Sequence, residues 1–330
     1  MAHNDVEVSV LCIAYNHEKY IRKALDAFVA QKTNFKYEVL INDDASTDNT
    51  AEIIREYAEE YPDIIKPYFQ TENQYSQNKS NLQFLGERAK GKYFAFCEGD
   101  DYWIDNDKLQ KQYDVMASNP NVSLCVHKVQ CVNEDMSANM GIIPEERLNI
   151  NQDRVITQDE FSDILFVRGS YAFHTSSYFV TRELFFSEER KKMIGKMNGD
   201  QIIMSCSLLY GDVYYINEIM SHRRMMTIGN SHQRFAESSV EKKVTHLLKY
   251  YKGCSFFDEI SDYRYHKKLI HRVYLGLICV SLQYNHKIVD DYFKEVRKKM
   301  KFNWFISFKL DVVYIMFHIC PWLLKKLLKF

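Results

Sequence analysis

The stretch Phe96-Cys97-Glu98-Gly99-Asp100-Asp101-Tyr102-Trp103 decides the fold. It overlaps an apolar run, Tyr93 to Cys97, with the length and composition of a buried strand. That run ends abruptly in three carboxylates within four positions, with Gly99 among them permitting a tight turn and close approach of a ligand. A lone Asp-Asp pair is ordinarily a solvated acidic turn. Three acids at the end of a buried strand are costlier, because two unit charges ~4 Å apart repel by roughly 4 kcal/mol at an effective dielectric near 20. A hard divalent cation, Mg²⁺ or Mn²⁺, turns that repulsion into binding, and such ions bridge carboxylates to substrate phosphates.

Upstream, two more strands run into polar clusters. Val8 to Ile13 leads into Ala14-Tyr15-Asn16-His17-Glu18, where Asn16 is placed to cap a helix with the apolar face Tyr20, Ile21, Ala24, Leu25 and Phe28. Val39-Leu40-Ile41 leads into Asn42-Asp43-Asp44-Ala45-Ser46-Thr47-Asp48. Asn49 with Glu52 then reads as a capping box for a helix carrying Ile53, Ile54, Tyr57 and Ala58. Ile64 to Phe69 supplies a third strand and Leu82 to Ala89 a helix. This alternation predicts an α/β fold with a mainly parallel sheet sandwiched by helices. Ligands bind such sheets outside the carboxyl ends of the strands, where the clusters after Ile13, Ile41 and Cys97 all lie. Neither Gly-x-Gly-x-x-Gly nor Gly-x-x-x-x-Gly-Lys-Ser/Thr occurs, so a dinucleotide fingerprint and a P-loop are both unsupported.

Downstream, Lys108 to Met116 reads as a helix, Val122 to Val132 and Ser176 to Val180 as strands, Ile202 to Tyr210 as a helix ended by Gly211, and Val213 to Ile216 as a strand. Residues 133–158 are polar and patternless, a mobile loop over the site. From about Val240 the pattern is helical to the end. Arg297 to Phe330 holds eight Lys/Arg against one acid, Asp311, interleaved with Trp304, Phe305, Phe308, Tyr314, Phe317 and Trp322. Its longest uncharged apolar stretch, Val312 to Leu324, is too short to span a bilayer. A basic, aromatic, amphipathic segment of this kind fits an interfacial helix on an anionic leaflet; the plainer alternative is a helix packed on the domain with a solvated basic face.

The 330 residues allow one large or two ordinary domains. A formal net charge of −1 gives no electrostatic case for nucleic acid. The 23 Tyr and 21 Phe suit either ring stacking or the core. Eight cysteines without a Cys-x-x-Cys pair and eleven histidines without zinc spacing leave no metal-finger pattern, and imply a reducing, cytoplasmic compartment. The first residues, Met1-Ala2-His3-Asn4-Asp5, lack the basic and apolar regions of a signal peptide.

Taken together, Val8 to Asn16, Ile41 to Thr50 and Glu98-Gly99-Asp100-Asp101-Tyr102-Trp103 resemble the family-two glycosyltransferases, GT-A-fold enzymes that are typically inverting and use nucleotide sugars. The resemblance covers roughly residues 6 to 230, and Lys108-Leu109-Gln110-Lys111-Gln112 looks like a bacterial subgroup of surface-polysaccharide enzymes. It implies a catalytic domain over 1–235, with a donor half of about 1–130 and an acceptor half of about 131–235, followed by a helical C-terminal region over 236–330. It places Ala14, Tyr15, Asn16, Glu18, Asp43 and Asp44 in the donor pocket, with Ala45 where the family commonly has Gly. An Asp accepts the imide N–H of uracil, which favours UDP-sugars. Glu98-Gly99-Asp100 occupies the family's Asp-x-Asp position, making Asp100 the leading metal ligand, with Asp101 and Glu98 next.

Gly199-Asp200-Gln201, read as preceding a helix, resembles the family's acidic motif with the catalytic base. An inverting transfer needs one group to take the acceptor hydroxyl's proton, and Asp200 fills that role. His174-Thr175-Ser176, with Trp103 and His222, is implied on the acceptor side. Arg223 suits the donor diphosphate by bidentate bonding, with Lys79 or Arg88 as alternatives. His222 and Met225 stand where Tyr and His are usual. The implied activity is a metal-dependent, hexosyl-type transfer from a nucleotide sugar to a glycan or lipid-linked acceptor in polysaccharide or capsule synthesis, at the inner face of the cell membrane. Two other classes stay open. One is a sugar-nucleotide nucleotidyltransferase, for which Ala14-Tyr15-Asn16-His17-Glu18 lacks the Gly-rich, basic loop. The other is a non-catalytic membrane adaptor, which loss of the carboxylates would signal.

Overall fold

The computed structural model describes residues 5–77, 79–168, 172–225, 235, 237–284 and 291. The segment 297–330, read from sequence above, lies outside them. Two compact units are distinguished, Met1–Leu165 with Ser170–Asn230 and Phe166–Gly169 with Ser231–Phe330.

In the first unit, β1 (Val6–Ala14), β2 (Lys36–Asp43) and β3 (Ile65–Phe69) are parallel neighbours, linked by α1 (Ile21–Val29) and α2 (Thr50–Glu60). β1 buries Val8, Val10, Leu11, Cys12 and Ala14 in near-unbroken succession, as a strand covered on both faces does. α1 buries Ile21, Ala24, Leu25 and Phe28, the stripe a 3.6-residue period aims at the sheet. α3 (Asn81–Gly86) leads into β4 (Tyr93–Phe96), which pairs parallel with β1 on the side away from β2.

The chain continues through β5 (Tyr102–Trp103), α4 (Lys108–Ser118), β6 (Val122–Val132), β7 (Asn139–Ile143), β8 (Arg154–Ile156) and α5 (Gln158–Ser162). Then come β9 (Phe179–Thr181), α6 (Arg182–Phe186), α7 (Glu188–Met193), α8 (Gly199–Tyr210) and β10 (Asp212–Arg224). The sheet runs β3-β2-β1-β4-β9-β6-β10-β5, with β7 beside β6 and β8 beside β10. Its first four strands are parallel; β9 is antiparallel to both β4 and β6, and β5 is antiparallel to β10.

Three expectations change. Residues 133–158 are not a patternless loop: β7 and β8 extend the sheet and Leu148, Ile150 and Ile156 are buried. Their strands are too short for a period to show. Ser176 belongs to a turn, Thr175–Ser177, and the strand starts at Phe179. β10 runs on to Arg224 because polar residues such as Asn217, Glu218 and His222 interrupt its apolar pattern without ending its pairing to β6.

In the second unit, α9 (Val240–Ile260) and α10 (His266–Tyr284) lie against each other, burying Val244, Leu248, Cys254 and Phe257 from one and Leu269, Val273 and Leu277 from the other. His266 Nδ1 stands 2.6 Å from Asp258 Oδ2. No described helix is long and apolar enough to cross a membrane.

Lys108 lies wholly inside the first unit. Its Nζ donates to Gln112 Oε1 at 2.6 Å and stands 4.0 Å from the centroid of the Trp103 ring. Loss of water pulls its pKa down to about 7 from 10.5, against the upward pull of Cys97, Cys125 and Asp105. The unfolded chain keeps this proton up to about 10.5 and the native chain releases it near 7, so the unfolded state holds more protons between those limits. Stability therefore rises with pH across that window, by up to ~1.4 kcal/mol per unit from this group. Paired urea melts should show the wild type gaining on Lys108→Met as pH rises from about 7 toward 10.5. A difference that stays constant with pH would mean that Lys108 is protonated throughout.

Candidate active site

The carboxyl ends of β2, β1 and β4 lie side by side, and Ala14 at the end of β1 is the pivot. It pairs with Asp43, its carbonyl accepts from Asp44 N at 2.9 Å, and the carbonyl of Ile13 accepts from Gly99 N at 3.0 Å. The Asp43 turn and the Glu98–Asp101 turn thus flank one strand end. Gly99 is needed for space: a Cβ there would stand 2.6 Å from Ile21 Cδ1, 2.9 Å from His17 Nδ1 and 3.3 Å from Ala14 Cβ. What approaches this glycine closely is the protein itself.

The loops after β1 and β2 are stitched together, and several residues expected in the donor pocket do the stitching. Asn16, at φ 56°, donates from its backbone to Ser46 Oγ at 2.9 Å and accepts from Thr47 N at 2.8 Å, so it caps no helix. Glu18 N donates to Asp48 Oδ2 at 3.1 Å, and Glu18 Oε2 accepts from Asn49 N at 3.1 Å. The capping box is therefore replaced. Asn49 makes no side-chain cap, Asp48 Oδ1 accepts from Thr50 N at 3.0 Å, and Glu52 pairs with Arg55 at 2.9 Å. Asp44 is buried, accepting from Gln74 N at 2.7 Å and Tyr75 N at 3.1 Å. The side chains of Asn16, Glu18 and Asp44 are thus already engaged within the protein, while Tyr15 stays exposed. Ala45 takes φ 62°, the left-handed conformation that glycine adopts without strain.

Asp43 differs from these. Its Oδ2 accepts from Ser46 N at 3.2 Å, but its Oδ1 is buried with no partner among the described residues. Burial pushes its carboxyl upward, with Ser46 opposing and Asp48 and Asp44 adding to the rise. An unsatisfied buried acceptor costs roughly 1–3 kcal/mol unless something donates to it.

Beyond β4, Glu98, Asp100, Asp200 and Arg223 gather. Protein crowding, then Asp100 and Asp200, push the Glu98 carboxyl upward against Arg223, even though water reaches its side chain from the open side. Asp200 sits in the first turn of α8, within the helix and not ahead of it. There Asn198 N donates to Gln201 Oε1 at 3.4 Å. Burial raises the Asp200 carboxyl despite the opposing backbone N–H groups and Arg223, so desolvation prevails over the charge-favouring helix end. Arg223 is the cation these carboxylates share. Lys79 and Arg88 are exposed, and Arg88 lies 3.6 Å over the Phe84 ring.

Asp101 turns inward. Its Oδ1 accepts from Arg224 N at 2.9 Å, and its Oδ2 lies 3.6 Å from His174 Nδ1. Burial, then Asp100 and Glu98, raise it well above the usual range. His174 Nδ1 is 2.9 Å from Ser176 Oγ, which is 2.8 Å from Ser221 Oγ, and Trp103 Nε1 donates to the Ser176 carbonyl at 3.1 Å. Trp103, His174 and Ser176 are buried, so this internal network takes them away from any acceptor and leaves only half-buried Thr175 of that motif. His222 lies 2.7 Å from the Tyr102 hydroxyl, and strand alternation puts it on the face opposite Arg223.

Among the described residues, no group of three or more His, Cys, Asp or Glu side chains could hold a metal by itself. With Asp101 turned inward, Glu98 and Asp100 remain, which suits an ion taking one or two carboxylates plus substrate phosphates. Two residues escaped the sequence reading. His17 has a buried Nδ1 without a partner among the described residues, facing Gly99. Arg224 donates from Nη1 to the Asp100 carbonyl at 2.5 Å, and its position next to Arg223 in a strand was the available signal. A recess of about 590 Å³, lined in part by Lys19, Tyr20, Glu134, Met136, Arg224 and Met225, includes none of Asp43, Glu98, Asp100 and Asp200 in its wall. The carboxylates locate the chemistry better than the hollow does.

Residues 9–177, just over half of the chain, match Glycosyl transferase family 2, and the chain belongs to that family. It is 45% identical over 128 residues to an uncharacterized protein of Mycobacterium bovis, an alignment covering 39% of this chain and 36% of that one. The chain thus spans little over a third of the length of that relative. It is 36% identical over 109 residues, 33% of this chain and 41% of the other, to the putative teichuronic acid biosynthesis glycosyltransferase TuaG of Bacillus subtilis. Its fold matches that of S. aureus TarS 1–349, solved in complex with UDP-GlcNAc, with a TM-score of 0.56 and 16% identity, covering 87% of this chain and 83% of that one. The fold is of the GT-A type.

The packing around Gly99 generates a direct test. Gly99→Ala should lose about 1–3 kcal/mol in urea unfolding, the usual cost of overpacking, as Ile21 and His17 are forced aside. Unchanged stability would mean that the turn has room the structure denies it.

Proposed function

We propose that this family 2 glycosyltransferase is an inverting, hexosyl-type enzyme that uses a nucleotide sugar, with UDP-sugars as the donor class. Its acceptor in this reading is a glycan or lipid-linked glycan in surface-polysaccharide synthesis. The observation that carries it is the meeting of Glu98, Asp100 and Asp200 around Arg223, with the unpartnered Asp43 Oδ1 across the end of β1. Similarity to TuaG supports the acceptor class.

Asp43 Oδ1 accepts the imide N–H of the base, satisfying the acceptor that folding leaves bare. Ala14 and Gly99 set the backbone beneath the donor, and exposed Tyr15 covers it. Arg223 gives the diphosphate a bidentate partner. Glu98 and Asp100 would hold Mg²⁺ or Mn²⁺, which when bound neutralises charge on the departing diphosphate. Asp200 takes the proton from the acceptor hydroxyl as it attacks the anomeric carbon from the face opposite the leaving group. Burial supports that role, because a carboxylate raised toward neutrality is the better base. One base suffices, unlike the acid–base pair of inverting glycosidases. Asp101 positions the turn from beneath, held by Arg224 N and His174. In the same reading residues 1–130 serve the donor and 131–235 the acceptor. The basic segment 297–330 meets the inner membrane face.

Screening nucleotide sugars for hydrolysis or transfer, with and without Mn²⁺, tests the donor class. Asp200→Asn should lower kcat by ~10²–10⁴ and leave UDP affinity little changed. In the wild type, activity should fall as pH drops through a pKa above that of an ordinary aspartate, since protonated Asp200 accepts nothing. Intact turnover in Asp200→Asn would remove it as the base. Asp100→Ala should abolish the Mn²⁺-dependent part of UDP binding in calorimetry; undiminished binding would refute its place at the metal.

A further inference from the structure

On the face of β10 turned away from Arg223, basic side chains crowd around a sulfur atom. Met136 Sδ lies 3.0 Å from Lys23 Nζ, 3.0 Å from the Tyr102 hydroxyl and 3.8 Å from Arg224 Nη2. Lys23 Nζ stands 4.3 Å from the centroid of the Tyr102 ring, and the Arg224 guanidinium stands 4.7 Å from the same centroid. A thioether is a weak acceptor, so it satisfies Lys23 Nζ and Arg224 Nη2 poorly, while the Tyr102 hydroxyl also lies 2.7 Å from His222 Nδ1. Arg224 is 5% exposed, and its Nε is buried with no partner among the described residues. The basic groups also act on one another: burial and Arg224 pull Lys23 down, and burial, Lys23 and Arg224 pull His222 down.

Two acids of the recess wall each accept from hydroxyl or amide groups. Glu134 Oε1 accepts from the Tyr20 hydroxyl, and Asp135 Oδ1 accepts from Ser137 N at 3.0 Å and Ser137 Oγ at 2.7 Å. The 590 Å³ recess bordered by Arg224 and Met136 gives a ligand room to enter.

We infer that this nest is an anion-binding subsite, which takes a phosphate or diphosphate group between Lys23 and Arg224 with the Tyr102 hydroxyl as a third donor and displaces Met136. Arg224 offers the Nε and Nη2 pair, the planar fork that matches two phosphate oxygens. Lys23, on the exposed side of α1, supplies a mobile point charge. Such a ligand converts the mutual repulsion of the cations into attraction and satisfies the buried Nε. The phosphate chemistry has two sources, the diphosphate of a lipid-linked acceptor or that of a nucleotide. The assignment to an acceptor or a donor rests on the transferase reading; the anion site does not.

Calorimetric titration of the full chain with inorganic pyrophosphate in EDTA tests it, because no metal or turnover is needed and a failed transferase assay leaves the result intact. Lys23→Gln should weaken pyrophosphate binding roughly tenfold, the loss of one charge-assisted hydrogen bond. Met136→Ala should tighten it several-fold by removing the occupant, and Met136→Asp should abolish it by supplying an internal carboxylate. Both positions are exposed, so unchanged melting temperatures should accompany these shifts. Titrating UDP and farnesyl diphosphate against Lys23→Gln then identifies the source as the ligand that loses affinity. Equal pyrophosphate affinity in wild type and all three variants, or tighter binding in Met136→Asp, overturns the subsite.

Discussion

Like charges do not gather unless something neutral holds them, and in this protein the backbone at the end of β1 does so. Two hydrogen bonds, Asp44 N to the Ala14 carbonyl and Gly99 N to the Ile13 carbonyl, fix acidic turns on both sides of one strand. Each turn is then buttressed from behind by polar groups, the Gln74 and Tyr75 amides under Asp44 and the Arg224 amide and His174 under Asp101. The acids with satisfied oxygens form the frame. Asp43 Oδ1, by contrast, is buried with no partner among the described residues.

This division of labour explains what the sequence did and did not reveal. The parallel strands and the polar clusters at their ends were legible because buried strands are written as apolar runs of the right length. Asp43, Glu98, Asp100 and Asp200 were legible as acids in suspicious places. What could not be read was the direction each side chain takes. Asn16, Glu18 and Asp44 are as polar as Asp43, yet their partners are backbone groups about 30 residues distant, and no local pattern encodes such pairings. Trp103 and Ser176, placed on the acceptor side by a motif, lie inward in the fold, where Trp103 Nε1 donates to the Ser176 carbonyl and Ser176 Oγ meets Ser221 Oγ. The segment 133–158 was opaque for a different reason. Strands of five and three residues carry too few positions for alternation to rise above composition.

The end of β10 shows how much one strand can separate. Successive side chains point to opposite faces, so Arg223 joins the carboxylates and Arg224 and His222 join Lys23, Tyr102 and Met136. Arg224 still touches both sides, because its amide holds Asp101 and its Nη1 holds the Asp100 carbonyl. A shift of Arg224 toward an anion would therefore act on the same turn that presents Asp100. The two faces are mechanically joined through a single residue even though their charges are kept apart.

That joint bears on why a sulfur atom occupies the nest. A carboxylate at position 136 would neutralise Lys23 and Arg224 permanently and hold Arg224 in one place. An aliphatic side chain would take the sulfur acceptor away from Lys23 Nζ and Arg224 Nη2, leaving the Tyr102 hydroxyl with His222 Nδ1 at 2.7 Å. Methionine lies between these extremes, polarizable enough to receive weak donation and flexible enough to leave. A residue with those properties, carried near the tip of the turn between β6 and β7, suits a site that must be tolerable when empty and available when an anion arrives.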